Sequence, residues 1–170
     1  MDPLVLLARG AIESFVRGAG MAAPEPSLGA VPDRAAGVFV SLHDASGGLR
    51  GCIGTITPSC PTMAEEIIQN ARWACARDHR FTPVRKDELG GLTVKVDVLS
   101  EPEAIDSVDE LDPAVYGVIV STPDGRRGLL LPALEGVDTV EQQIDICRRK
   151  GRIAPNEKAT LQRFTVERHS

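Results

Sequence analysis

A chain of 170 residues carrying a net charge of −5, with one Trp, one Tyr and four Phe, is long enough for a single domain with its own core and has room for two lobes. It lacks the basic, aromatic-interleaved stripe of a dedicated nucleic-acid binder, no apolar run approaches the roughly 20 residues of a membrane span, and the start at Met1, Asp2 and Pro3 has no basic leader. The cysteines Cys52, Cys60, Cys75 and Cys147 form no C-x-x-C pair and match no zinc or disulfide spacing, which predicts reduced thiols in a cytoplasmic protein.

The segment DPLVLLARGAIESFV predicts a helix capped by Asp2 with Pro3 in its first turn. Leu4, Leu7, Ala8, Ala11 and Phe15 share its apolar face. Gly18 and Gly20 end it, and Pro24, Pro26 and Pro32 mark an irregular loop. AGVFVSLHDASGGLRGCIGTI predicts a hairpin, with strands 37–43 and 49–56 around a turn at 44–48. PTMAEEIIQNARWACA predicts a helix with Thr62 and Glu65 as a capping box. Its core face is Ala64, Ile67, Ala71, Ala74 and Cys75. Glu65 and Glu66 read as first-turn acids that complement the helix dipole.

RDHRFTPV reads as a turn. In LTVKVDVL, Leu92, Val94, Val96 and Val98 face one way and Thr93, Lys95 and Asp97 the other, as in an antiparallel sheet with one wet face. The acidic stretch 101–112 reads as a surface connection, and YGVIVSTPDGRRGLLLP as a second hairpin around Pro123, Asp124 and Gly125. TVEQQIDICRRKG predicts a helix with Thr139 and Gln142 as a capping box, Val140, Ile144 and Cys147 as its stripe, and Gly151 as its stop. Arg148, Arg149, Lys150 and Arg152 complement its C-terminal dipole. LQRFTVER gives one last strand. The irregular order of strands and helices predicts an α+β fold, with a mostly antiparallel sheet and helices packed on one face.

The strand LRGCIGTI breaks the rules of strand composition, because Gly51 and Gly54 weaken it while Arg50 and Cys52 sit two residues apart. Alternation places Arg50, Cys52 and Gly54 on one face, with the Arg50 and Cys52 Cα atoms roughly 6–7 Å apart. A guanidinium that close favours thiolate and predicts a reactive Cys52. The competing reading is structural: a small buried thiol, a solvated arginine, and glycines at a bulge or tight contact. Symmetric closure of the hairpin would set Val40 opposite Cys52 and turn His43 to the other face; a one-residue slip would reverse this. His79 is the other candidate base, and it depends on tertiary folding. Cys75 and Cys147 fall on core faces and read as inert. Cys60 lies in a loop; grouped with Cys52 and His79 it matches no metal-site pattern. No phosphate-binding, dinucleotide or metalloprotease motif is present, so no cofactor is expected.

LRGCIGT resembles the signature of the AMMECR domain family. ARDHRFTPV resembles that family's D-x-R-F-x-P segment at Asp78, Arg80, Phe81 and Pro83. ELGGLTVKVDVLSEPE resembles the strand that follows, and RGLLLPALEGVDTVEQQIDICRRKGRI is similar to the prokaryotic branch, the AmmeMemoRadiSam system protein A type. The likeness spans nearly the whole chain. It departs at Tyr116-Gly117, where other branches carry His-Gly, and at Lys150 to Arg152. The resemblance implies an α+β fold with a larger and a smaller lobe and a cleft bordered by the signature. It also implies work beside a Memo-like protein and a radical S-adenosylmethionine enzyme.

Two functional classes follow. In the first the chain is an accessory, ligand-binding subunit: Arg50, Gly51, Gly54, Thr55, Asp78 and Arg80 would form a site for an anionic small molecule or a partner's carboxylate. In the second it is a thiol enzyme with Cys52 as nucleophile, Arg50 stabilising thiolate or oxyanion, and His79 or a glutamate moving protons.

Overall fold

A computed structural model describes residues 2–18 and 31–170. Gly20, Pro24 and Pro26 lie outside the described residues. The chain divides into two compact units, Met1–Leu99 with Glu167–Ser170, and Ser100–Val166.

In the first unit, helix α1 (Pro3–Arg17) starts at Asp2, whose side chain accepts the Leu4 and Val5 amides, and stops at Gly18 in the left-handed region, φ 80°. Strands β1 (Val38–His43) and β2 (Leu49–Thr55) form the expected hairpin. Helix α2 (Met63–Ala76) carries the Thr62–Glu65 capping box. Strand β3 (Thr93–Leu99) follows a 310 turn at Lys86–Gly91. A four-stranded sheet results, in the order β2-β1-β3-β8, with β8 (Val166–His169) supplied by the end of the chain. Val38, Val40, Leu42, Val94, Val96 and Val98 face α1 and α2 and form the core with Leu7, Ala11, Ile12, Ile67, Ala71 and Ala74. The α1 stripe is Leu4, Val5, Leu7, Ala8, Ala11 and Ile12. Phe15, expected on it, is instead 39% exposed.

In the second unit, β4 (Glu103–Ile105), β5 (Gly117–Ser121), β6 (Arg127–Leu130) and β7 (Thr160–Phe164) form a second sheet in the order β4-β7-β5-β6. Helix α3 (Val140–Gly151) lies on β5 and β6. A Cβ at Gly128 would stand 1.7 Å from the Cys147 carbonyl oxygen, so only glycine lets helix and strand meet. Gly151 is needed for the same contact, with a Cβ clash of 2.8 Å against Gly128 N. It is not the helix stop in the left-handed region; Arg152 takes that role at φ 55°.

All strand pairs with a defined register are antiparallel, and the fold is α+β, as expected. Three details differ. There are two sheets rather than one. LQRFTVER is two strands that break at Thr165 and serve different sheets. The acidic stretch contains β4 and a short 310 turn at Val108–Glu110.

Candidate functional site

The register of the β1–β2 hairpin decides what faces what. His43 opposes Leu49 as symmetric closure requires, but a bulge between Leu42 and His43 then shifts the pairing, so that Leu42 opposes Gly51 and Ser41 opposes Cys52. Arg50 is the extra residue. The expected Val40–Cys52 pair is therefore replaced by Ser41–Cys52, and His43 shares a face with Cys52 after all. Bulges add one residue to one strand and reverse the alternation beyond them.

The core side of β2 is explained by packing. A Cβ on Gly51 would lie 2.3 Å from the Ala74 carbonyl oxygen, so this glycine admits the backbone of α2. Ile53 packs on the core. Thr55 donates its hydroxyl to Glu66 Oε1 and accepts from Asn70 Nδ2 at 3.2 Å. Glu66 is fully buried, which corrects its reading as a first-turn surface acid. It also accepts the Ser59 and Cys60 amides at 2.8 and 2.7 Å. Burial raises its pKa, yet the bonds from Thr55, Cys60 and Ser59 outweigh that and hold the carboxyl below its ordinary value.

Arg50 is anchored within the fold. Its Nε and Nη2 donate to Glu88 at 2.7 and 3.1 Å, and Nη1 donates to the Thr82 carbonyl at 2.9 Å. The guanidinium lies over the Phe81 ring, 6.0 Å from its centre, and Arg80 lies 5.5 Å from the same ring. Arg50 thus holds the D-x-R-F-x-P segment onto β2. Its charge is met by Glu88, whereas the same-face reading of the strand had aimed it at Cys52.

The open side of β2 is different. β2 is an edge strand, and the outward Cys52 amide donates to Asp78 Oδ2 at 2.9 Å. Ser41–Cys52 is therefore a non-hydrogen-bonded pair, the kind in which facing side chains stand closest. Asp78 is buried and also binds Arg80 through Nη2 at 2.7 Å and Nε at 2.9 Å. The Arg80 fork, with the Cys52 amide, holds the Asp78 carboxyl well below the usual carboxylate range. The same pair with Asp78 raises the Arg80 pKa above its ordinary value, with a smaller contribution from Cys52. His79, in the same turn, is exposed. Gly54 admits the Phe39 ring, whose Cγ would be 2.1 Å from an added Cβ.

Across the strands the pairing continues. Ser41 opposes Lys95 of β3, giving a row Cys52–Ser41–Lys95 on the face away from α2, each residue partly buried. His43 Nε2 lies 3.3 Å from Ser41 Oγ. Among the described residues Lys95 has no hydrogen bond or ion pair, while its neighbour Asp97 on the same face is met by Arg168 at 2.8 Å. The row sets a thiol, a hydroxyl and an uncompensated ammonium side by side, which suits an anion that accepts hydrogen bonds. Ser41 and Lys95 were missing from the sequence-derived site. The alternation in LTVKVDVL had placed Lys95 on the wet face, but nothing local tied it to Cys52.

Cys75 and Cys147 are buried, and burial pushes their thiols up to about 11 and about 12. Cys60 sits before α2, and the described residues hold no group of three His, Cys, Asp or Glu side chains positioned for a metal ion. Tyr116, at the departure from the His-Gly pattern, stacks under Arg163 with 4.4 Å to the ring centre. No helix among the described residues is long and apolar enough to cross a membrane.

The family model named AMMECR1 matches residues 5–169. A protein of Thermotoga maritima is 48% identical over 172 residues, covering 98% of this chain and 97% of its own. A protein of Clostridium acetobutylicum is 47% identical over 171 residues and 99% of this chain, which spans only 36% of that longer protein. The crystal structure of an uncharacterized protein from Pyrococcus horikoshii superposes with a TM-score of 0.85 at 32% identity, covering 98% of this chain and 89% of that one.

Proposed function

The chain belongs to the AMMECR1 family, and from that premise we propose that it is an accessory, ligand-binding protein whose open face of the first sheet takes an anionic small molecule or the acidic group of a partner. The observation that carries this reading is Lys95. It is a partly buried cation without an ion pair among the described residues, set in a row with Ser41 and Cys52. Arg50 and Arg80, the cations of the family signature, are neutralised by Glu88 and Asp78, so they frame the site and Lys95 supplies its charge. A Memo-like protein and a radical S-adenosylmethionine enzyme are the partners that the family resemblance suggests. The match to only 36% of the longer Clostridium relative supports work alongside other modules.

The test is anoxic co-purification with those two proteins, followed by mass spectrometry of retained small molecules. Wild-type protein should retain an anion that Lys95→Met loses. Equal retention by both sinks the reading.

The second reading is a thiol enzyme with Cys52 as nucleophile. It is favoured by the bulge, which brings His43 to the Cys52 face with Ser41 between them, the order of a proton path from thiol to imidazole. It predicts alkylation of native Cys52 near neutral pH, slowed in His43→Gln. A Cys52 that labels only on unfolding ends it.

A further inference from the structure

We propose that the first unit carries a second ligand site, on the outer side of α2 where α1 ends, and that it takes an amphipathic anion: an elongated apolar body with a single carboxylate, sulfonate or phosphate head. A groove of about 500 Å³ lies there, lined by Phe15, Cys60, Ile68, Trp73, Arg72 and Arg77 among others. That volume is within the range of small-molecule sites.

The groove is written into α2. The helix buries Met63, Glu66, Ile67, Asn70, Ala71, Arg72, Ala74 and Cys75. A second stripe, at 65, 68, 69, 72, 73 and 76, follows the same helical spacing and lines the groove, Arg72 being buried as well. Ile68, Trp73 and Ala76 make it apolar where a helix facing water would be polar. Phe15 of α1, 39% exposed, forms the opposite wall, which accounts for its absence from the core stripe. From residue 65 to residue 76 the stripe runs about 16 Å along the helix axis, which favours an extended occupant over a compact one.

Charge sets the class of the head group. Arg77 lies over the Trp73 ring, 5.3 Å from its centre, and its side chain has no hydrogen bond or ion pair among the described residues. A guanidinium held over a ring face keeps its N–H groups available to bind a carboxylate or phosphate bidentately. Arg72 adds a second positive charge to the lining. The one acid there, Glu65, is turned to the start of the helix, where it accepts the Thr62 amide at 3.3 Å. The α2 dipole opposes an anion near its C-terminal end by a small, screened amount, and a bidentate guanidinium contact exceeds it.

Trp73 is the only tryptophan, so it is the single donor for energy transfer, and the Arg77→Met and Lys95→Met variants tell this groove from any other site. The probe is 8-anilinonaphthalene-1-sulfonate, read by energy transfer from Trp73. We expect saturable binding, displacement by decanoate but not by decan-1-ol at equal concentration, and about tenfold weaker binding in Arg77→Met, the loss of one charge-assisted contact. Lys95→Met should bind as wild type does, which separates this groove from the open sheet face. In the unaltered protein, decanoate should slow alkylation of Cys60 several-fold, a readout independent of any variant's folding. The proposal is overturned by wild-type affinity in Arg77→Met, by decanol competing as well as decanoate, by Cys60 labelling that decanoate leaves unchanged, or by a concentration-dependent dimer that Phe15→Ala dissolves, which would make the groove an interface between copies.

Discussion

The two faces of β2 differ in how far packing accounts for them. Toward α2, every unusual residue has a mechanical reason: Gly51 makes room for the Ala74 carbonyl, and Thr55 feeds the buried Glu66. On the open face Gly54 makes room for Phe39, and the Cys52 amide is met by Asp78. Lys95, in one row with Ser41 and Cys52, has no such partner among the described residues. Much of the seven-residue signature is thus architecture, and the proposed site extends onto strands the signature does not include.

Substitutions break or sharpen that contrast. The largest effect belongs to Gly51→Ala. Its Cβ would meet backbone, which cannot rotate away, so a loss of about 3 kcal/mol or failure to fold is expected in chemical denaturation. Glu66→Gln comes next. A glutamine can keep its oxygen on the Ser59 and Cys60 amides, but its NH2 then faces the Thr55 hydroxyl, which loses its acceptor, and charge-assisted bonds become neutral ones, so about 2–3 kcal/mol should be lost.

Asp78→Asn should cost less, about 1–2 kcal/mol, because Asn still accepts the Cys52 amide while losing the Arg80 pair. Its pH dependence has a definite sign. The folded carboxyl is depressed, so its stabilisation is complete above the unfolded value of about 4 and is lost as pH falls toward the folded one. The gap between wild type and Asp78→Asn in urea titrations should be constant above about pH 5 and narrow below about pH 4. A gap independent of pH would show that the Asp78–Arg80 charge pair contributes nothing. Smallest of all should be Cys52→Ala and Lys95→Met, each within about 1 kcal/mol of wild type. A larger loss in either would move these residues into the architectural set.

Much of this was legible in the sequence. Both capping boxes, the Asp2 cap, the hairpin limits and the burial of Cys75 and Cys147 rest on local rules: side-chain to backbone bonds and helical periodicity. The site was only partly legible. Cys52, Arg80 and Asp78 do come together, and a bulge is one reading of the glycines, but nothing local places it at Arg50, whose guanidinium is held by the distant 82–88 segment. That single extra residue turned His43 and Ser41 toward Cys52. The burial of Glu66 likewise depends on Thr55 and the loop at 59–60, both distant partners in the chain. The break at Thr165 was hidden because LQRFTVER alternates no differently on either side of it.

The measurement closest to the central claim is ligand retention by Lys95→Met, read beside its thermal stability. If the open face is the site, the variant keeps the wild-type melting temperature and comes through anoxic co-purification without the anion. An unchanged anion in a stably folded Lys95→Met would contradict the account.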